Sequence, residues 1–315
     1  MNSSEPNPGR LAGDDWLSRR VVLVTGKGGV GRTTVTAAMA RVAARAGRRV
    51  LVTAIGEPDG DYLPLARIYG RDLLPAEPGE VEQGVWGCLL WSRAGHRRFL
   101  ERVLPTPVLV GAAMRSRSIS RLLDAAPSFH EMGVFYRLLT LILEQGKDGR
   151  PAFDLVLVDM PATGHSLALT GLPDILLQLM PTGPIAELLR EGQAYFNDPS
   201  LTAACVVTLP ETLPVSESLE LIDGLRSTRV PVGSVLVNRV PTDPFDAEER
   251  AALRTAVNGQ VVFGMHRFRS LDGTTSAIQR LERHVRGPIR SIPEFNVRGE
   301  DLVDRVADTL TQVTP

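Results

Sequence analysis

The chain has 315 residues, of which 43% are hydrophobic and 23% are charged, and its formal net charge is −1. This composition supplies enough apolar mass for a globular core, and the neutral charge excludes the basic footprint of a nonspecific nucleic-acid-binding protein. The two cysteines, Cys88 and Cys205, lie far apart and outside any CxxC pattern, which argues against a disulfide framework or a structural zinc site.

Residues 1–18 are predicted to be a short disordered tail, because they contain no apolar segment of the kind found in a signal peptide. No apolar run in the chain approaches the roughly 20 residues that a membrane-spanning helix needs. We therefore expect a cytoplasmic protein whose membrane contact is at most peripheral.

Residues 19–315 are predicted to form a single α/β domain. Short β-branched runs alternate with helical patterns, which is typical of a mainly parallel, doubly wound sheet flanked by helices. Strands are predicted at 21–25, 49–54, 85–91, 153–158, 203–208, 232–237, 260–264 and 288–292. Helices are predicted at 33–46, 214–228, 246–257 and 298–312.

Two longer segments, at about 94–146 and 167–197, interrupt this alternation. Each is predicted to fold as several helices in series, so that together they form a helical subdomain. Long insertions on a doubly wound sheet often carry specificity for a partner. The alternative is that their apolar stripes only pack against the body of the domain.

The sequence GKGGVGRTT, at 26–34, follows a predicted strand and opens a predicted helix, which is the context that a phosphate-binding loop requires. Its glycines allow backbone conformations in which successive amides point at phosphate oxygens, and the helix adds its positive end. The predicted nucleotide-binding residues here are Gly26, Gly28, Gly29, Val30, Gly31, Arg32, Thr33 and Thr34.

A magnesium site is predicted beside this loop. The apolar strand FDLVLVD ends in Asp159, and an acid in that position can hold Mg²⁺ while Thr33 contributes its hydroxyl. The following residues, 160–165, are predicted to be a switch that senses the terminal phosphate of ATP and relaxes when ADP remains.

These motifs together resemble the ArsA and tail-anchored-protein-targeting ATPase family, whose phosphate loop is the deviant Walker A form. The similar segments run in order: KGGVGRTT at 27–34, DMPATGH at 159–165, VTLPETLPVSESLELI at 207–222, VLVNRV at 235–240 and IPEFNVRG at 292–299. The single-domain, arginine-rich arrangement looks closest to the bacterial ArsA-like branch. The resemblance implies a P-loop fold and Mg²⁺-dependent ATP hydrolysis.

The resemblance also implies a dimer that holds nucleotide between its subunits. Lys27 matches the lysine that reaches the partner's phosphates in such dimers, where it neutralises developing charge. Asn238 matches the amide that reads adenine, and Pro293, Glu294 and Phe295 match the loop that closes over the base.

Two positions depart from the family pattern. Arg32 replaces the lysine that slides between the β- and γ-phosphates, and a forked guanidinium does not reproduce a compact ammonium. The aspartate that orients the attacking water is also missing at its usual place after the second strand. Glu57, Asp59 or Asp61 could substitute for it, and Asp59 is our candidate.

Two functions therefore stay open. The first is a dimeric ATPase that acts as a nucleotide-dependent switch for a protein client bound by the helical insertions, with Lys27, Arg32, Asp159 and Asp59 as catalytic residues. The second is a hydrolytically degenerate ATP-binding subunit that pairs with a competent paralogous ATPase. The sequence does not distinguish a homodimer from a heterodimer.

Overall fold

The computed structural model describes residues 16–58, 63–117, 127–161, 163–179, 181–256 and 265–313. Eight strands in this part of the chain form one sheet, in the order β3-β4-β2-β5-β1-β6-β7-β8. The strands are β1 (Val21–Gly26), β2 (Val50–Ile55), β3 (Gly79–Glu82), β4 (Val85–Leu90), β5 (Leu155–Asp159), β6 (Thr202–Thr208), β7 (Val232–Val240) and β8 (Ile289–Pro293).

The sheet is parallel except for the pairing of β3 with β4. Strand β1 is buried along its whole length and lies between β5 and β6, with Val24 opposite both Asp159 and Cys205. Parallel strands end at the same edge of a sheet, so the residues that follow β1, β2, β5 and β7 meet at one carboxyl edge. The predicted α/β class and mainly parallel sheet are confirmed.

Helices cover both faces of the sheet. They are α1 (Arg32–Arg45), α2 (Pro64–Ile68), α3 (Ser92–Val103), α4 (Pro107–Arg115), α5 (Pro127–Leu143), α6 (Thr163–Leu179), α7 (Pro184–Asn197), α8 (Thr212–Ser227), α9 (Ala247–Ala256), α10 (Met265–His284) and α11 (Glu300–Val313). One core layer joins the sheet to α1, α2 and α11, and the other joins it to α5, α6, α7, α8 and α10. This arrangement is a doubly wound domain.

The two insertions are helical. Helices α3, α4 and α5 occupy the first, and α6 and α7 occupy the second. Helices α3 and α5 are in contact at two glycines, Gly95 and Gly133. The backbones lie so close there that a Cβ added to Gly95 would overlap the carbonyl oxygen of Gly133. Gly192 of α7 similarly receives the ring of Phe135 from α5. The two insertions therefore pack on each other, with glycine providing the space.

Ion pairs fix α1 against α11. The Arg41 side chain is only 7% exposed, and it pairs with Glu82 on β3 at 3.0 Å and with Asp304 on α11 at 3.1 Å. Asp304 also pairs with Arg45 at 2.8 Å. Because α1 begins at the glycine-rich loop and α11 follows the 293–295 loop, this network sets the position of one loop relative to the other.

Three features differ from the sequence predictions. Residues Trp16–Ser18 form a short 3-10 helix within the segment predicted as a disordered tail, because the Trp16 ring is buried in the core layer that contains α1. Strand β3 was not predicted, since its GEVE sequence is short and half exposed. The strand predicted at 260–264 lies outside the described residues.

Both cysteines are buried and free. Cys88 lies in β4 and Cys205 in β6, and burial raises the pKa of each thiol to about 11. In the described part of the chain, no helix combines the length and hydropathy that would be needed to cross a bilayer.

Candidate functional site

The loop between β1 and α1 has the backbone geometry of an anion cradle. Gly26, Gly29 and Gly31 have φ angles of 150°, 84° and 92°, which residues with a side chain rarely adopt. A Cβ on Gly26 would lie 2.2 Å from the Val207 carbonyl oxygen. A Cβ on Gly28 or Gly29 would meet no described residue within 4 Å, so the described part of the chain leaves space in front of the loop for a ligand.

Helix α1 begins immediately behind this loop. Its N-cap is Gly31, which has no side chain to satisfy the first amides of the helix. Those amides, at Arg32, Thr33 and Thr34, therefore remain free to bind an anion, and the helix dipole favours negative charge there. The predicted phosphate-binding residues thus lie together at the carboxyl edge of the sheet.

Thr33 and Asp159 meet beside the loop. The Thr33 hydroxyl donates a 2.7 Å hydrogen bond to Asp159 Oδ2. The other carboxylate oxygen, Oδ1, is buried and has no hydrogen-bond partner among the described residues. Burial raises the pKa of Asp159 to about 6, although the Thr33 hydrogen bond and the charge of Arg32 oppose the shift.

These two side chains fit a Mg²⁺ ion. Carboxylate and hydroxyl oxygens are the hard donors that Mg²⁺ prefers, and a cation would compensate both the unpartnered Oδ1 and the cost of ionising a buried carboxyl group. Mg²⁺ in nucleotide sites commonly takes one or two protein ligands and completes its shell with water and phosphate. Within the described residues, no cluster of three or more histidine, cysteine or acidic side chains offers an alternative metal site.

Arg32 reaches across the site to the segment after β5. Its Nη1 donates to the Met160 carbonyl oxygen. Burial lowers the pKa of Arg32, and the nearby Asp159 carboxylate opposes that shift. The guanidinium therefore joins the phosphate loop to the first residue of the predicted switch. Nothing in the sequence signals this contact, because its acceptor is a backbone carbonyl.

Lys27 forms an ion pair within its own chain. Its Nζ lies 2.8 Å from Glu217 Oε1 on α8, and the two side chains are 46% and 23% exposed. No motif in the sequence marks Glu217 as a site residue, although it lies in the VTLPETLPVSESLELI segment that supports the family resemblance. Since Lys27 is half exposed, this contact leaves the ammonium close to the surface.

Asn238 lies behind the phosphate loop. Its Nδ2 donates a 2.8 Å hydrogen bond to the Val30 carbonyl, and its Oδ1 accepts a 2.9 Å bond from the Arg239 amide. The side chain is buried, and a Cβ on Gly31 would lie 2.3 Å from Nδ2. Asn238 thus supports the loop directly, which its sequence motif alone did not indicate.

The predicted base-binding loop follows β8. The Glu294 amide donates to the Val240 carbonyl at 2.9 Å, which attaches the loop to the end of β7, two residues beyond Asn238. Pro293 and Glu294 are exposed, whereas Phe295 is partly buried against the core layer of α1. The structure therefore brings this loop and Asn238 to the same edge as the phosphate loop.

Of the three acids that could orient the attacking water, only Glu57 lies in the described part of the chain. Glu57 follows β2, where its carboxylate lies 3.5 Å from the Ser92 hydroxyl and 3.8 Å from His130 Nδ1. These contacts direct Glu57 toward α3 and α5. Asp59 and Asp61 lie outside the described residues, so the candidate role of Asp59 stays a prediction.

A glycine-rich loop between a buried strand and a helix, with a threonine and an acidic residue meeting beside it, defines the P-loop nucleotide-binding class of α/β proteins. Matches to known proteins narrow this class. Residues 19–59 match the ArsA_ATPase family, described as anion-transporting ATPase.

Three relatives illustrate the similarity. ATPase BagA of Mycobacterium tuberculosis is 29% identical over 237 residues, which cover 74% of this chain and 67% of that protein. ATPase ARSA1 of Chlamydomonas reinhardtii is 24% identical over 275 residues, which cover 70% of this chain and 35% of that protein. ATPase GET3 of Candida glabrata is 28% identical over 166 residues, which cover 44% of this chain and 47% of that protein. The chain is thus similar to ATPases of the ArsA family, over residues 19–59 for the family model and over most of its length for BagA.

Proposed function

We propose that this protein is a Mg²⁺-dependent ATPase that acts as a nucleotide-controlled switch for a protein partner and works as a dimer. The observation that carries the proposal is the pair Thr33–Asp159, in contact at 2.7 Å beside an open glycine loop, with one buried carboxylate oxygen that has no partner among the residues that the structure describes. This pair provides a hydroxyl and a carboxylate at the position where P-loop ATPases hold the metal of Mg-ATP.

The loop amides and the first turn of α1 would bind the phosphates, while Thr34 would reach the α-phosphate. Thr33 and Asp159 would hold Mg²⁺, which supplies charge neutralisation to the phosphates when it is bound. Because the pKa of Asp159 is about 6, the carboxyl group would release its remaining proton when the metal arrives near neutral pH. Asn238 would keep the Val30 carbonyl fixed behind the loop.

Arg32 is the natural link from nucleotide to switch. Its guanidinium donates to the Met160 carbonyl. A bound γ-phosphate would compete for the same guanidinium, since phosphate is a stronger acceptor than a neutral carbonyl. Residues 160–165 would then lose one restraint on ATP binding and regain it after hydrolysis and phosphate release.

Dimer formation would require Lys27 to leave Glu217. Surface ion pairs are weak, so a partner's phosphates can compete for this half-exposed ammonium. The client surface would lie on the helical insertions, where Val108 and Leu109 of α4 and Ile175 of α6 are exposed apolar side chains. The partner subunit is either a second copy or a paralogous ATPase.

The contact of Arg32 also favours a second candidate, a nucleotide-binding subunit that does not hydrolyse ATP by itself. A guanidinium held at Met160 and shaped as a planar fork is a poor replacement for a lysine between the β- and γ-phosphates. Such a subunit would bind ATP through its backbone and lend Lys27 to a competent partner.

The test is Mg-ATP binding and turnover of the purified protein beside Arg32→Lys, with the oligomeric state of each recorded. Arg305→Lys, at an exposed site on α11, is the matched control. Turnover by the wild type supports the ATPase. Binding without turnover, restored by Arg32→Lys but not by Arg305→Lys, supports the degenerate subunit. Absence of ATP binding in all three proteins would exclude both functions.

A further inference from the structure

A second cavity lies at the opposite edge of the sheet, where the parallel strands begin. It has a volume of about 840 Å³ and is formed by the end of α8 and its connection to β7, together with the end of α10 and its connection to β8. Strand β1 alone contributes six residues, at about 3.3 Å each, to the depth of the sheet. The cavity is therefore on the order of 20 Å from the phosphate loop.

The cavity is lined by positive charge. Four arginines, Arg226, Arg229, Arg283 and Arg286, supply this charge, and none of the described residues that line the cavity is acidic. This concentration is notable in a chain whose net charge is −1. Arginines that line one hollow are a common means by which proteins bind phosphate, because each guanidinium can donate two parallel hydrogen bonds.

Two segments with the same sequence pattern line this cavity. The segments RSTRVP (226–231) and RHVRGP (283–288) both read R-x-x-R-x-P, and each connects a helix to a strand. In each, the proline carbonyl accepts a backbone hydrogen bond from the neighbouring strand, Pro231 from Ala204 and Pro288 from Val235. Because β7 and β8 are adjacent, the two segments line the same cavity.

The helix dipole explains why arginine is favourable at only two of these four positions. Arg226 and Arg283 lie in the last turns of α8 and α10, where a cation complements the helix dipole. Arg229 and Arg286 lie two residues beyond the helices, where the dipole does not require them. Arg229 also has a left-handed backbone, with φ 62°, at a position where glycine is the usual residue.

Nearby acidic residues form ion pairs with only two of the four arginines. Asp223 pairs with Arg226 at 3.0 Å, and Asp174 pairs with Arg229 at 2.8 Å. Arg283 and Arg286 are exposed and have no ion-pair or hydrogen-bond partner among the described residues. Glu282, the neighbouring acid on α10, does not line the cavity. Two guanidiniums thus remain available to an incoming anion.

We propose that this cavity is a binding site for a phosphate group, separate from the nucleotide site, with Arg283 and Arg286 as its primary donors. Val230, Val232 and Val285 give the cavity an apolar side, which suits a phosphate carried on an organic group. The phosphate can come from a free small molecule or from the headgroup of a phospholipid, since both present the same oxygens to the guanidiniums.

The test uses protein saturated with ADP, so that the phosphate loop is filled, and inorganic pyrophosphate as the probe in calorimetry. Arg283→Gln combined with Arg286→Gln should weaken pyrophosphate binding by about tenfold or more. Arg150→Gln combined with Arg305→Gln removes two exposed arginines elsewhere and should leave binding unchanged. Thermal melts of both double variants should match the wild type, because none of the four side chains makes a described ion pair.

Flotation with phosphatidylcholine vesicles that contain phosphatidic acid separates the two sources. Vesicle binding that depends on Arg283 and Arg286, with weak pyrophosphate binding, identifies a lipid headgroup, whereas tight pyrophosphate binding alone identifies a soluble ligand. Absence of binding to both probes, or an equal loss in the control variant, overturns the proposal. Titration of the same proteins with ADP measures nucleotide binding by the phosphate loop independently. A failure of the nucleotide site can therefore be distinguished from a failure of the arginine-lined cavity to bind phosphate.

Discussion

The two edges of the sheet present anion sites that are built in different ways. At the carboxyl edge, backbone amides and a helix N-terminus form the cradle, and glycines with φ angles of 84° and 92° shape it. At the amino edge, arginine side chains converge from two helix ends on a cavity of about 840 Å³. The first site depends on the path of the main chain, and the second depends on flexible side chains.

This difference predicts how each edge responds to mutation. Where a backbone cradle packs tightly on its supports, as at Gly26, even one added carbon atom displaces the main chain. Guanidiniums at the surface contribute little to folding, so they can be removed one at a time. Loss of stability should therefore accompany loss of binding at the carboxyl edge, whereas the amino edge should lose binding alone.

The contrast is strongest at Gly26. Gly26→Ala would place a Cβ 2.2 Å from the Val207 carbonyl oxygen at a φ of 150°, so β1 and β6 would have to separate. We expect the free energy of unfolding to fall by roughly 3 kcal/mol or more. Urea denaturation measures this loss. Gly28→Ala is the control, because its Cβ meets nothing within 4 Å, and it should change stability by less than about 0.5 kcal/mol.

Asp159 should make the stability of the nucleotide-free protein depend on pH. Its pKa is about 6 in the folded state against an ordinary 3.8, so the folded protein holds this proton more tightly than the unfolded chain. The resulting stability is fully present below about pH 4 and is lost as pH rises through about 6, by roughly 3 kcal/mol. Asp159→Asn should therefore exceed the wild type in stability at pH 8.

Urea denaturation between pH 4 and pH 8, without metal or nucleotide, checks this expectation. The difference between Asp159→Asn and the wild type should grow with pH and level off above about 6.5. Asp198→Asn is the control: hydrogen bonds from Ser200 lower the pKa of Asp198 below its ordinary value, so this carboxyl group is ionised over nearly the whole range and its difference from the wild type should change little with pH. A difference between Asp159→Asn and the wild type that stays constant across the range would contradict the assignment.

Asn238→Ala should have an intermediate effect. The substitution removes the donor to the Val30 carbonyl and leaves a buried acceptor without a partner. The expected loss in stability is about 1–2 kcal/mol, and ADP affinity should fall with it, since the loop loses its support. Asn296→Ala, at an exposed position in the loop after β8, serves as the control in the same denaturation series.

Glu217→Gln should have the smallest effect on folding, below about 0.5 kcal/mol, because its partner Lys27 is half exposed. Without this carboxylate, Lys27 is free to reach a second subunit, so ATP should induce association at a lower protein concentration. Sedimentation with and without ATP measures that shift. Glu220→Gln, on the same helix and exposed, should leave association unchanged; an equal shift there would exclude a specific role for Glu217.

Local patterns made much of this molecule predictable from sequence. The strand, glycine loop and helix at 21–45 are contiguous, so β-branched residues, glycines and a 3.6-residue period were enough to predict them. Asp159 followed from a buried run that ends in an acid. These predictions required no knowledge of which residues meet across the fold.

The remaining features depend on contacts between distant parts of the chain. Neither the pairing of Lys27 with Glu217 nor the bond from Arg32 to the Met160 carbonyl has a local pattern. Residues 1–18 were predicted to be a disordered tail because they contain no apolar run, yet the Trp16 ring is buried in the core layer that contains α1. The short strand β3 exists only because β4 provides its pairing partner.

The burial of both thiols has a practical consequence for following the proposed switch in solution. The chain contains two cysteines, and each has its pKa raised to about 11, so neither should react readily with a maleimide at neutral pH. A cysteine introduced at an exposed position, such as Val108 of α4, would then be the main site of labelling in an otherwise native chain. A fluorophore there could report movement of the helical insertions as ATP binds and is turned over.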